Sequence, residues 1–169
     1  MTTPRTQIAP GSPSRWLAAA HRTPDRAREE WMEQGLALLP LGRRFSAVRL
    51  PLSLVLAVTG GTGPSAAVDT ALAAVLEGAV ICDPEGHRYY ALVPPGALTA
   101  GRDGPAAPDV AYLGAGTYLG VPRTDRTAYD PATRSSYWAV PMSDTVHLCT
   151  PAAVARLITT ALSAKGTAA

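Results

Sequence analysis

Hydrophobic positions first follow a helical spacing between residues 24 and 34. Thr23 can cap this segment, Pro24 suits the first helical position, and Gly35 is a typical helix end. Ala27 and Trp31 share one face of the predicted helix. Trp31 is therefore interpreted as a core anchor rather than as a surface on which bases stack.

Four further helices are predicted from caps, prolines and apolar stripes. They are a short helix opening at Pro13 or Ser14, a helix over 51–58 opened by Pro51, a helix over 66–76 capped by Ser65 and ended by Gly78, and a last helix over 152–164 opened by Thr150 and Pro151.

Strand patterns occupy much of the remaining chain. The apolar run 36–40 predicts a buried strand, and 47–50 predicts either a strand or the approach to the helix at Pro51. The runs 79–82 and 88–93 flank the turn residues Asp83, Pro84, Glu85 and Gly86, which predicts a hairpin. Further strands are expected over 112–121 and 136–141, with loops over 94–108 and 123–135.

The order of these segments predicts the fold class. Helices with a strand come first, a strand meander follows, and a helix closes the chain. This order is typical of an α+β domain whose mainly antiparallel sheet packs against N-terminal and C-terminal helices. We expect a disordered tail over 1–13, a single domain over 14–164 and a frayed end over 165–169.

Composition narrows the class of protein. Of 169 residues, 47% are hydrophobic and 17% are charged, so a sizeable core can form. The net charge of +2 is too small to indicate a nucleic-acid partner by itself. The apolar run 50–58 is too short to cross a bilayer, and residues 1–15 lack the apolar core of a secretion signal. Because Cys82 and Cys149 are far apart, no disulfide framework is expected, and a cytoplasmic protein without a membrane partner is predicted.

The predicted hairpin turn gathers residues capable of acid–base chemistry. Asp83, Glu85 and His87 supply two carboxylates and an imidazole, which can bind a divalent ion or transfer protons. The alternative is a solvated turn in which Asp83 accepts backbone hydrogen bonds. The spacing of cysteines and histidines assigns no metal site.

A second candidate is the glycine-rich segment before the helix at 66–76. Gly60, Gly61 and Thr62 could cradle a phosphate with backbone N–H groups. The segment has neither the lysine of a P-loop nor the spacing of a dinucleotide-binding motif, so a flexible turn is the alternative.

Aromatic residues on the predicted strands form a third candidate. Where two aromatics are adjacent, one of each pair can be exposed and can stack on bases, with core packing as the alternative. They are Tyr89, Tyr90, Tyr112, Tyr118, Tyr137 and Trp138.

Three segments together resemble a known family. Residues 79–95 read AVICDPEGHRYYALVPP, residues 112–122 read YLGAGTYLGVP, and residues 136–141 read SYWAVP. Their order resembles the second half of the bifunctional DNA primase/polymerase N-terminal (prim-pol) domain of the archaeo-eukaryotic primase superfamily. Residues 31–40 and 54–62 loosely resemble earlier parts of that domain. The resemblance implies a prim-pol-like domain with an RRM-like core, of the degenerate actinobacterial type.

The resemblance also implies a binding site and a loss of catalysis. It assigns nucleotide or nucleic-acid contacts to the residues His87, Arg88, Gly114, Gly116, Tyr118 and Arg123. Active members carry an Asp-x-Asp metal-binding pair, whereas the corresponding stretch here has only Asp69. Leu113 and Ala115 stand where the family often has an arginine and an acid.

The first expectation is therefore a domain that binds nucleotide or single-stranded nucleic acid without polymerase activity and without a cofactor. A non-enzymatic interaction or regulatory module with a protein partner is the alternative. A second alternative is an active nucleotidyl transferase that uses Mg or Mn at displaced ligands, namely Asp83, Glu85 and His87.

Overall fold

The structure, a computed structural model, describes residues 12–96, 107–142 and 146–168. Residues 166–168 are described by their backbone alone. In chain order the elements are α1 (Pro13–Ala18), α2 (Pro24–Gln34), β1 (Leu36–Pro40), β2 (Ser46–Pro51), α3 (Leu52–Thr59), α4 (Ala66–Leu76), β3 (Val80–Asp83), β4 (Arg88–Val93), β5 (Ala111–Leu113), β6 (Tyr118–Pro122), β7 (Tyr137–Val140) and α5 (Pro151–Ala168). Most of the expected N-terminal tail, and the middle of the loop expected over 94–108, lie outside the described residues.

The described strands form two sheets. A five-stranded sheet has the order β5-β2-β4-β3-β7, and a two-stranded sheet pairs β1 with β6. All neighbouring strands are antiparallel. The predicted α+β class with a mainly antiparallel sheet is confirmed, but the simple meander is wrong, because β2 inserts between β4 and β5.

Apolar residues bury both faces of the larger sheet. Val48 and Leu50 belong to the core beneath α3, α4 and α5, whereas Ala47 belongs to a second core beneath α1, α2 and the small sheet. This division follows from the period of two along a strand, which sends alternate side chains to opposite faces. The helices near both ends of the chain thus pack on opposite sides of the sheet.

Trp31 joins α2 to the small sheet. Its side chain is buried, and its indole N–H donates a hydrogen bond of 2.9 Å to the carbonyl of Val121. The helix ends at Gly35, whose φ of 74° is the left-handed conformation that glycine adopts freely. The prediction that Trp31 anchors the core is confirmed.

Two strand predictions were wrong in detail. Leu36 and Leu38 on β1 are exposed, because the small sheet buries only its other face, so the strand is half buried. The single strand expected over 112–121 is two strands in different sheets, separated by a turn at 114–117. Thr117 donates its backbone N–H to the carbonyl of Gly114 within this turn. Its glycines serve a turn rather than a continuous strand.

Helix ends also differ from prediction by a few residues. Pro51 ends β2 and caps α3, so both interpretations of this stretch apply. Helix α4 covers the predicted residues, but Glu77 rather than Gly78 is its left-handed cap. The last helix continues to Ala168, through residues expected to fray. No helix among the described residues is long and apolar enough to span a membrane.

Candidate functional site

The hairpin turn between β3 and β4 has the predicted position. Asp83 on β3 pairs with Arg88 on β4, which confirms the hairpin. The Asp83 carboxylate accepts a hydrogen bond of 3.1 Å from the backbone N–H of Gly86. His87 is exposed and adopts the left-handed φ of 57°. The carboxylate of Asp83 therefore holds the turn, as in the solvated-turn interpretation.

Two other parts of the chain fix the position of this turn. The backbone N–H of Leu52, the first residue of α3, donates a hydrogen bond of 2.9 Å to the carbonyl of His87. The guanidinium of Arg134 donates a hydrogen bond of 3.2 Å to the carbonyl of Pro84. The turn is thus attached to both the start of α3 and the loop before β7.

A cleft of about 480 Å³ opens beside the hairpin turn, and we name it the first cleft. Its lining comes from the end of β2, the first two turns of α3, the hairpin turn and the residues before β5: Arg49, Pro51, Leu52, Ser53, Leu56, Gly86, His87, Arg88 and Asp109. It brings together two of the residues predicted to bind nucleic acid, His87 and Arg88.

The strand register explains why two arginines share the first cleft. Arg49 faces Tyr90 across β2 and β4, and Pro51 faces Arg88. Arg49 and Arg88 are therefore diagonal neighbours on one face of the sheet, about 7 Å apart at their backbones. Neither arginine forms an ion pair with another described residue, and Asp109 is the one acidic residue in the described part of the lining.

A second cleft of about 350 Å³ lies at the turn before β6. Its lining residues are His21, Arg22, Pro40, Leu41, Arg43, Ala115, Gly116 and Tyr118. It contains two more of the predicted residues, Gly116 and Tyr118, away from His87 and Arg88. We name it the second cleft.

The remaining predicted residues line neither cleft. Arg123 forms an ion pair of 2.7 Å with Asp125, and the carbonyl of Gly114 accepts hydrogen bonds from Thr117. The six residues to which the resemblance assigned nucleotide or nucleic-acid contacts are thus divided: His87 and Arg88 line the first cleft, Gly116 and Tyr118 line the second cleft, and Gly114 and Arg123 line neither.

The glycine-rich segment occupies the link between α3 and α4. Gly60 ends α3 with a left-handed φ of 83°, and a side chain at Gly61 would collide with Val68. The Ser65 hydroxyl accepts a hydrogen bond of 3.3 Å from the backbone N–H of Val68. The start of α4 is thus capped by its own serine, and Gly60, Gly61 and Thr62 line neither cleft.

The aromatic residues divide by exposure. Tyr89, Tyr137 and Trp138 are buried, so the expectation that one residue of each adjacent pair is exposed was wrong for the pair at 137–138. Tyr90 and Tyr112 are half buried. Tyr118 is 59% exposed, and it is the one large aromatic residue with a largely exposed side chain among the described residues.

A partly buried hydrogen bond joins α4 to β7. The Tyr137 hydroxyl donates a hydrogen bond of 3.1 Å to the carboxylate of Asp69. Burial raises the pKa of Asp69 to about 6, against the opposing effect of this hydrogen bond. Burial also raises the pKa of the Cys82 thiol to about 12, and it raises the pKa of Tyr89 and Tyr137.

The acidic residues of the hairpin turn do not form a metal centre. Among the described residues, no group of three or more histidine, cysteine, aspartate or glutamate side chains is placed to hold a metal ion. Asp69, the acid of the stretch where the resembled family has Asp-x-Asp, is hydrogen-bonded to Tyr137 instead.

Sequence reasoning missed Arg49, Ser53 and Asp109 in the first cleft. Arg49 is the one charged residue in a strand that is otherwise apolar except for its first residue, and this is a usable signal. Its proximity to Arg88 depends on the pairing of β2 with β4, which no local pattern encodes.

No protein-family model, no curated protein and no solved structure matches this chain. The likeness to the prim-pol domain therefore rests on the sequence motifs alone.

Proposed function

We propose that this chain is a prim-pol-like domain that binds single-stranded nucleic acid at the first cleft and does not polymerise. The observation that carries the proposal is the convergence of Arg49, His87 and Arg88 on one cleft. Ser53 adds an exposed hydroxyl at the start of α3.

These residue types suit a phosphate backbone. A guanidinium donates paired hydrogen bonds to phosphate oxygens, and an imidazole or a hydroxyl adds a further donor. Arg49 and Arg88 have no ion-pair partner among the described residues, so no salt bridge has to break before a phosphate binds. The net charge of +2 does not oppose this, because phosphate binding depends on local cations.

The positions of the acidic residues support the part of the proposal that excludes polymerase activity. Polymerases of this kind hold two metal ions on clustered carboxylates, which stabilise the charge of the transferred phosphate. The Asp83 carboxylate accepts a hydrogen bond within its own turn, and the Asp69 carboxylate accepts one from Tyr137, which supports binding without catalysis.

The test is fluorescence anisotropy with labelled (dT)16 at two salt concentrations, with and without Mn²⁺. We expect binding that weakens with salt and ignores the metal. Arg88→Ala should weaken binding about tenfold and reduce the salt slope by about 0.7, the value of one phosphate contact to a single strand. Arg49→Ala should act in the same way.

The matched control is Arg28→Ala. Arg28 is exposed on α2, is paired with Asp25 and lies outside both clefts. Equal binding by the Arg88 and Arg28 variants would contradict the proposal. Mn²⁺-dependent incorporation of nucleotides would instead favour the nucleotidyl transferase.

A protein-interaction module is the second candidate. The outer face of the small sheet exposes Leu36 and Leu38, and Met32 on α2 is 82% exposed. Apolar side chains grouped on a surface are typical of contact sites for other proteins. Absence of any (dT)16 binding at low salt would favour this candidate.

A further inference from the structure

The second cleft combines arginine side chains with a solvent-exposed aromatic ring. Arg22 and Arg43 are both exposed, and Tyr118, the first residue of β6, is 59% exposed. None of the described residues that line this cleft is acidic. Neither arginine is ion-paired with another described residue, and Arg43 has one long hydrogen bond of 3.5 Å to the carbonyl of Ala20.

His21 adds a directional donor to the second cleft. Its Nδ1 accepts a hydrogen bond of 2.9 Å from the backbone N–H of Thr23. The neutral imidazole then carries its proton on Nε2, where it can donate to a ligand oxygen. Pro40 and Leu41 complete the lining with apolar surface.

This set of groups selects a ligand with two properties. The arginines and the imidazole favour an anion with several oxygens, as in a phosphate. The exposed ring of Tyr118 favours a flat, aromatic group, as in a nucleobase. A nucleotide unit has both properties, whereas an acidic peptide has only the first.

The two clefts lie at opposite ends of one strand pair. Arg43 precedes β2 and Arg49 lies near its end, while Asp109 precedes β5 and Ala115 follows it. The strands β2 and β5 are antiparallel neighbours, and β2 rises about 16 Å over its length. A single strand that follows this pair can therefore reach both clefts.

We propose that the second cleft binds a further nucleotide of the same single strand that occupies the first cleft. The base stacks on Tyr118, and Arg22, Arg43 and His21 hold the adjoining phosphate. This inference rests on the proposed function, which it extends from the first cleft to a path between two clefts.

The test compares variants of the whole chain in the (dT)16 anisotropy assay. Tyr118→Ala should weaken binding about tenfold with an unchanged salt slope, because the ring carries no charge. Tyr118→Phe keeps the ring and should bind like the unmodified chain. Arg43→Ala should weaken binding and lower the salt slope by about 0.7. Titration at high protein concentration should give one (dT)16 per chain.

The outcomes separate the two proposals. Normal binding by both Tyr118→Ala and Arg43→Ala, with weakened binding by Arg88→Ala, would overturn the second cleft and leave the proposed function standing. Weakened binding by Tyr118→Ala and Arg43→Ala, with normal binding by Arg88→Ala, would overturn the first cleft instead. Two strands per chain would overturn the shared path. Arg156→Ala, at an exposed position on α5 outside both clefts, is the control and should bind normally.

Discussion

The hydroxyl of Tyr137 on β7 donates a hydrogen bond of 3.1 Å to the carboxylate of Asp69 on α4. The bond joins the edge of the sheet to the helix that covers it. It lies partly buried, where water compensates a charge poorly, and burial raises the pKa of Asp69 to about 6. The ionised carboxylate of Asp69 is therefore less stable in the folded chain than in the unfolded chain.

This predicts a pH-dependent effect of Asp69→Asn. The folded-state pKa is raised from 3.8 to about 6, so the stability that protonated Asp69 contributes is complete below pH 4 and is lost as pH rises through 6. Asparagine keeps the acceptor oxygen without the charge. At pH 8 we expect the variant to be more stable by about 1 kcal/mol, after discounting for the half-exposed side chain.

Thermal melts of both proteins between pH 4 and pH 8 measure this difference. The melting temperatures should differ by about 3 °C at pH 8 and converge toward pH 4. A constant difference across this range would show that Asp69 does not titrate as argued.

The two buried tyrosines beneath α4 should respond oppositely to loss of their hydroxyls. Tyr137→Phe removes the donor to Asp69 and should cost about 1 kcal/mol at pH 8. The Tyr89 hydroxyl is buried beside the weakly polar Cys82 thiol and lacks a well-formed hydrogen bond. Tyr89→Phe should therefore leave stability unchanged or raise it slightly. Urea unfolding of both variants decides this, and equal losses would refute it.

Replacing His87 should change the stability of the fold and the affinity for (dT)16 in opposite directions. Its φ of 57° strains a residue with a side chain, and glycine adopts that conformation freely. We expect His87→Gly to stabilise the fold by about 0.5–1 kcal/mol while weakening (dT)16 binding. A variant that is more stable and binds normally would remove His87 from the first cleft's function.

Gly78 should tolerate no side chain. A Cβ there would lie 2.4 Å from the backbone nitrogen of Cys149 and 2.5 Å from the carbonyl carbon of Leu148. Gly78→Ala must push this segment away from β3, and we expect a loss of about 2 kcal/mol in urea unfolding. Gly63→Ala is the matched control, since a Cβ there meets nothing within 4 Å. Similar stabilities for the two variants would contradict this reading.

Elements with local signals were predictable from the sequence. The limits of α4 follow from the Ser65 cap and a run of good helix formers, and β4 follows from the turn at Asp83 to Gly86. Both signals act within a few residues, so no distant contact is needed to interpret them.

The pairing of remote segments was not predictable in this way. Leu39 on β1 pairs with Leu119 on β6, and that pairing divides the stretch over 112–121 between two sheets. Likewise, Arg49 joins the first cleft only because β2 aligns with β4 in one register. Register between distant strands is set by burial of whole faces, which a local pattern does not contain.

The two buried thiols can report how fast different parts of this fold open. Cys82 lies within β3, Cys149 precedes α5, and burial raises the pKa of each to about 12. They are the two cysteines of the chain, and both are protonated and shielded at neutral pH. A thiol reagent can thus modify each one only after its surroundings open. The labelling rates of Cys149 and Cys82 therefore measure two separate openings. A faster rate at Cys149 would show that the last helix detaches before the sheet opens.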